Sequence, residues 1–238
     1  MYLNGEFFYF GPARCAHGYY RVDEIKLPLK NGVNHIAIET VNYYVNSFYA
    51  LMQKDKAARR RDMRTRSQAI IDDRLLIDFP ADTYAHYLKW NIPLDKIKAC
   101  IITHSHSDHL YPVEIQMRSA GFAHINSGKP LTFYAAESGY NMLADAVKKY
   151  NISENDINLK LIKPFESFET EGYVITPIKA THDEKSSPVI YAIKKDEKSL
   201  LYANDTSELC EESMACLKAL ERPFKGFVTS YDGLIIEY

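Results

Sequence analysis

The chain has 238 residues, of which 46% are hydrophobic and 25% charged, and its formal net charge is -2. This is the composition of a globular protein built as one large domain, or one domain plus a fragment. The near-neutral charge argues against a general binder of nucleic acid or of anionic membrane surfaces, and no apolar run approaches the ~20 residues that a membrane span needs.

In chain order, residues 1–53 read as β structure. Glu6-Phe7-Phe8-Tyr9-Phe10 is short and aromatic and stops at Gly11-Pro12, and Asn34 to Val41 alternates apolar and polar residues as a half-buried strand does. Asn31-Gly32 is a turn signal between them. Met1 to Glu6 has no basic region followed by an apolar stretch, so no signal peptide is expected. The four cysteines, Cys15, Cys100, Cys210 and Cys216, lie far apart without a CxxC pair. They are expected to be reduced thiols in a cytoplasmic protein.

Residues 54–66 are polar and basic around Arg59-Arg60-Arg61. They read either as a solvated linker or short helix, or as a phosphate-facing edge of the next domain. From Ser67 the pattern changes to mixed strands and helices. Strands are expected at Gln68–Ile71 and Arg74–Asp78 around the turn Asp72-Asp73, then a helix over Thr83–Trp90 and a buried strand over Lys98–Thr103. Next come a helix over Glu137–Tyr150 and strands near Leu159–Ile162, Tyr173–Ile178, Val189–Ile193 and Leu200–Ala203. A helix over Glu211–Leu220 and a strand over Gly226–Ser230 complete a layered α/β domain.

The chemistry concentrates where the Lys98–Thr103 strand ends. His104-Ser105-His106-Ser107-Asp108-His109 holds three histidines and an aspartate within six residues. On an extended segment His104 and His106 point the same way, and a turn at Ser107 returns Asp108 and His109 toward a second point. Imidazole and carboxylate together suit zinc, manganese or iron, and four such groups fit a merely hydrogen-bonded loop poorly. His182 and Asp205 also come just after expected strands, where active-site loops of α/β folds lie. Asp78 ends a strand as well, and is expected either to accept a hydrogen bond from a ligand imidazole or to sit at a helix N-terminus. His86 and His124 have no motif support and read as a helix-surface and a loop residue.

Two resemblances arise from these residues. Gly11-Pro12-Ala13-Arg14-Cys15-Ala16-His17-Gly18-Tyr19-Tyr20-Arg21, Asp23-Glu24-Ile25 and Asn42 to Tyr49 resemble an accessory β-sandwich of bacterial α-L-rhamnosidase-type glycoside hydrolases. The stretch is too short to close a sandwich, so a strand-supplying remnant is favoured over a carbohydrate-contact module. From about residue 57 to 238 the chain resembles the metallo-β-lactamase superfamily. The HxHxDH signature is joined, in the family's order, by Arg64-Thr65-Arg66-Ser67-Gln68, Leu76 to Pro80, Ala180-Thr181-His182 and Leu201 to Thr206. The expected organisation is therefore a partial β-sandwich-like segment over 1–55 and a hydrolase domain over 56–238.

The second resemblance implies an α/β fold of αββα layering, with a metal site at the strand ends between two sheets. It implies that His104, His106 and His182 hold a first divalent ion, Asp108 and His109 a second, and that Asp205 bridges them. Asp78 would support a ligand imidazole from behind. The implied cofactor is a pair of zinc or manganese ions, and Asp108 would position a hydroxide between them. The branch that looks most similar is the cyclic-phosphate phosphodiesterases, so the expected substrate is a small phosphate ester. Arg64 and Arg66 either pair with its phosphate or are solvated. A lactone or thioester hydrolase on the same site, and a degenerate domain without catalysis, are the alternatives. The family also has a histidine after a strand resembling Phe227 to Asp232, whereas no histidine follows His182 here. The second site is therefore expected to be the weaker.

Overall fold

A computed structural model describes residues 65–119, 121–123, 125 and 128–220, together with four short strands outside them, Tyr2–Leu3, Glu6–Phe7, Ile36–Ala37 and Gly226–Thr229. Apart from three of those strands, the rhamnosidase-like stretch lies outside the described residues. So do the basic run as far as Arg64, and His124. The chain divides into two compact units, Met1–Thr65 and Arg66–Tyr238.

In the first unit, β1 (Tyr2–Leu3) pairs antiparallel with both β2 (Glu6–Phe7) and β3 (Ile36–Ala37), with Tyr2 opposite Phe7 and Ala37. β2 and β3 fall within the stretches expected to be extended.

The second unit carries two five-stranded sheets. The first is ordered β4 (Ala69–Ile71), β5 (Leu75–Ile77), β6 (Ala99–Ile101), β7 (Leu131–Ala135) and β8 (Ile157–Leu161). Only the β4–β5 hairpin is antiparallel there, turning at Asp72 and Asp73, both at positive φ. The second sheet is ordered β13 (Gly226–Thr229), β12 (Lys198–Ala203), β11 (Val189–Lys195), β10 (Tyr173–Lys179) and β9 (Phe168–Thr170).

Side-chain alternation explains the layering. Leu75, Ile77, Ala99 and Ile101 pack with Tyr173, Ile175, Val189, Tyr191, Ile193 and Tyr202, so one face of each sheet meets the other. The residues between them, Leu76 and Cys100, face the opposite way with Phe133 and pack on Leu143 and Ala146 of α2 (Glu137–Tyr150). Ile178, Ile190, Ala192 and Leu201 pack outward against Met214 and Leu217 of α3 (Glu211–Ala219). Strands buried on both faces read as nearly continuous apolar runs, and a helix on each outer face gives the expected αββα sandwich. Gly139 lets α2 approach closely, because a methyl there would sit 3.3 Å from Ala135 Cβ.

Several elements differ from expectation. β7 and β9 lie in stretches where no strand is expected, and the 3-10 turns Pro112–Arg118 and Glu184–Ser186 are likewise new. The helix Thr83–Trp90, α1, forms as expected, but it is oriented against its apolar pattern. Thr83 and His86 are buried, whereas Tyr84, Leu88 and Trp90 are exposed. His86 is thus not a surface residue. Its Nδ1 lies 2.7 Å from Gln68 Oε1, and the Gln68 amide donates to Thr83 Oγ1 and to the Asp78 carbonyl. A polar network, not an apolar stripe, seats this helix. Among the described residues, no helix is long and apolar enough to cross a membrane.

Candidate metal centre

The topology brings the chemically interesting residues to one edge. β5, β6 and β7 run parallel, so Asp78 and the segment from Thr103 to His109 leave the first sheet at the same end. In the second sheet, β10 and β12 each pair antiparallel with β11, so they run alike. His182 lies just beyond β10 and Asp205 just beyond β12. The two sheet ends are joined where Val189 N–H donates to the Thr103 carbonyl at 2.9 Å, and where Ser105 N–H donates to the Ser186 carbonyl at 3.2 Å.

Two groups of side chains converge there: His104 with His106 and His182, and His104 with His109 and Asp205. His104 Nε2 lies 3.0 Å from His106 Nδ1, and His182 Nε2 lies 3.2 Å from that same atom. Asp205 Oδ2 is 2.6 Å from His109 Nε2 and 3.7 Å from His104 Nε2. Asp108 belongs to neither group. Its Oδ2 is 3.8 Å from His109 Nε2, with the side chain 59% exposed.

The hydrogen bonds behind these rings settle which nitrogens face inward. Asp78 is fully buried and accepts from Thr103 N–H at 2.8 Å, from the Thr103 hydroxyl at 2.9 Å, and from His109 Nδ1 at 2.7 Å. Because the Thr103 proton goes to that carboxylate, Thr103 Oγ1 accepts from His104 Nδ1 at 3.1 Å. His106 donates from Nε2 to Asp183 Oδ2 at 3.1 Å. Each outward bond fixes the tautomer and turns the other nitrogen to the centre. Asp78 and Asp205 both take positive φ, 66° and 49°. This region is uncommon for residues other than glycine but accessible to aspartate, and local strain of this kind clusters at functional sites.

The electrostatics reflect burial and the carboxylates. Burial pulls His104 down to about 3, and the neighbouring His109 charge adds to the effect. Burial also opposes charge on His109, but hydrogen bonds to Asp205 and Asp78 outweigh it and carry that imidazole up to about 10. Burial raises the Asp78 carboxyl, against the opposing His109 bond. The exposed Asp183 is held below the ordinary carboxylate range by its His106 bond and by Lys185 N–H.

This donor set fits a divalent cation. Three inward imidazole nitrogens crowd one point and an anionic oxygen lies beside a fourth. Lone pairs at 3.0 and 3.2 Å from one another repel unless a proton or a cation lies among them. Neutral imidazoles and carboxylates are the ligands that zinc and manganese take.

The comparisons with known proteins bear on the family and the fold. A family model described as the beta-lactamase superfamily domain matches residues 73–224, well over half the chain. The chain belongs to the beta-lactamase superfamily. Among its described residues are histidine and aspartate groups that could hold a divalent metal. Zn(2+)-bound PqqB from Methylobacterium extorquens is similar at 19% identity and TM-score 0.54, over 73% of this chain and 63% of that one. This chain thus spans less than two thirds of PqqB. The short form of human tRNase Z is similar at 13% identity and TM-score 0.50, over 72% of this chain and 88% of that one. A diphosphatase from the PhnP family is similar at 18% identity and TM-score 0.48, over 79% and 91%, too slight a likeness to bear on activity. At these identities the structural likeness speaks for the metallo-β-lactamase fold alone. A comparison with curated protein sequences gives no match.

The remaining residues singled out in the sequence lie nearby or outside the described part. The Arg66 guanidinium lies 3.1 Å from Asp82 Oδ1, and Arg66 N–H donates to Asp82 Oδ2 at 2.8 Å. Ser67, next to it, accepts at 2.7 Å from the amide of Asn204, the neighbour of Asp205. Arg64 lies outside the described residues. Sequence reasoning missed Thr103 and Asp183. Each adjoins a candidate ligand, His104 and His182 respectively, and that adjacency was the available signal.

Proposed function

We propose that the protein is a metal-dependent hydrolase that cleaves a small phosphodiester, with a cyclic phosphate as the favoured substrate class. In this reading His104, His106 and His182 hold one divalent cation, zinc or manganese. His109 and Asp108 hold a second, with Asp205 shared between the two. The observation that carries it is the inward convergence of His104 Nε2, His106 Nδ1 and His182 Nε2 beside the Asp205–His109 pair.

Bound cations would supply Lewis acidity toward a phosphoryl oxygen and acidify water toward a pKa of ~7. The chain's own residues do the remainder. Asp78 and Thr103 hold the His104 and His109 rings so that no rotation is needed when substrate arrives. Asp108 is exposed beside His109, where its carboxylate can orient the attacking water and accept its proton. Arg66 adjoins Ser67, and Ser67 is hydrogen-bonded next to Asp205. That neighbourhood favours phosphate, with Arg64 offered as its partner in binding.

A lactone or thioester substrate is the second reading. It is favoured by the Arg66–Asp82 pair, which already occupies the nearby guanidinium. The discriminating assay is turnover of bis(p-nitrophenyl) phosphate, with added manganese or zinc, beside a lactone panel. Metal-dependent diester cleavage that a chelator abolishes is expected. Cleavage of lactones alone would overturn the phosphate assignment.

A further inference from the structure

Asp183 is exposed and carries no motif, yet it joins the hydrogen-bond set around the histidines. The outward nitrogens of three converging rings are held from behind: His104 by Thr103, His109 by Asp78 and His106 by Asp183. The first two partners are buried on the β5 and β6 ends of the first sheet. Asp183 reaches across from the second sheet, 77 residues along the chain from His106.

Its carboxylate is aimed by the turn it begins. Asp183 is the N-cap of the 3-10 turn Glu184–Ser186, and its Oδ1 accepts from Lys185 N–H at 3.2 Å. The Asp183 carbonyl accepts from Ser186 N–H at 2.9 Å and from the Ser186 hydroxyl at 2.6 Å. Ser186 is buried, and its own carbonyl takes Ser105 N–H, the residue between His104 and His106. With Oδ1 used by the turn, Oδ2 is left facing His106 Nε2. The turn is therefore a strap that fixes a carboxylate of one sheet against an imidazole of the other.

We propose that Asp183 is a positioning residue for metal binding: its carboxylate holds His106 through Nε2–H, so that Nδ1 faces His104 and His182. This rests on the metal-centre reading above. A carboxylate behind a ligand imidazole orients the ring and raises its basicity, and loss of such a partner costs about 10–100-fold in metal affinity. The His106–Asp183 bond is half exposed, with side chains 38% and 46% accessible, which puts the effect near the lower bound.

The test is zinc affinity, measured by chelator competition on the metal-stripped full chain. The variants are Asp183→Ala, Asp183→Asn and Asp183→Ser. Asp183→Ala should weaken the tightest zinc about tenfold. Asp183→Asn, whose amide oxygen can still accept from Nε2–H, should recover most of that loss. Asp183→Ser, whose hydroxyl can still cap the turn at Lys185 N–H but is one atom shorter and leaves His106 Nε2–H without its acceptor, should lose as much as Asp183→Ala. Equal affinities for parent and Asp183→Ala would overturn the assignment and leave the metal centre standing. Recovery of parent affinity in Asp183→Ser would overturn it in favour of a merely structural cap. A parent protein that takes up no zinc would overturn the metal reading and this assignment together.

Discussion

Asp78→Asn changes one atom of a fully buried side chain, and its consequences can be worked from the three donors the carboxylate serves. The carboxylate accepts from Thr103 N–H, from the Thr103 hydroxyl and from His109 Nδ1–H, at 2.7 to 3.0 Å. An asparagine has one acceptor oxygen for these donors. If that oxygen faces Thr103, the amide N–H₂ meets His109 Nδ1, and the ring must carry its proton on Nε2, where it faces Asp205. The nitrogen assigned to the metal is then blocked. If the amide is turned round, its N–H₂ meets Thr103 N–H in a site without solvent, and a buried donor goes unsatisfied at about 1–3 kcal/mol. Losing the charge-assisted bond to His109 adds to either outcome, so a net loss of about 2–3 kcal/mol of stability is expected. The backbone does not confound the experiment, because asparagine tolerates the φ of 66° as aspartate does. The assay is urea unfolding of the metal-free protein, with zinc titration beside it. The metal assigned to His109, Asp108 and Asp205 should weaken 10–100-fold, while the one assigned to His104, His106 and His182 holds. Unchanged stability with two unchanged affinities would refute the account of Asp78.

His182→Ala should abolish metal-dependent hydrolysis and the tightest zinc, with the far-ultraviolet circular dichroism of the parent. His182 sits beyond β10 on a loop and is only half-buried, so near-normal turnover with full zinc would remove it from the site. Zinc should bind sequentially in a calorimetric titration, because three imidazoles converge on the first point while Asp108 stands 3.8 Å from His109 and largely exposed. Two equally tight equivalents would contradict that asymmetry. Asp72→Asn tests the far end of the sandwich, where Asp72 accepts from Lys195 Nζ and the Tyr173 hydroxyl, each at 2.7 Å. These bonds hold the Asp72 carboxyl below its ordinary value of 3.8, so their contribution is present above that pH and is lost as pH falls through the depressed value. The pair is exposed, so the variant should cost no more than about 1 kcal/mol at pH 7. The gap from the parent should close below pH ~4, and a gap that persists in acid would assign the effect to packing.

The features legible in the chain alone are local ones. His104 to His109 are neighbours at the end of a buried strand, so spacing announces a cluster of metal-type ligands. The helices Thr83–Trp90 and Glu137–Tyr150 are likewise legible with their boundaries, since helical hydrogen bonds close within a few residues. The Leu131–Ala135 strand was missed although its burial alternates along its length. Its neighbours β6 and β8 are distant in sequence, so only the sheet register decides that this stretch extends. The direction in which α1 buries His86 was equally unreadable, because Gln68, fifteen to eighteen residues away, supplies the polar seat. The proton positions around the centre belong to the tertiary structure in the same sense. Asp78 meets His109 across 31 residues and Asp183 meets His106 across 77. Residue type says that an imidazole can ligate at either nitrogen, and only the packing of one sheet end on the other says which.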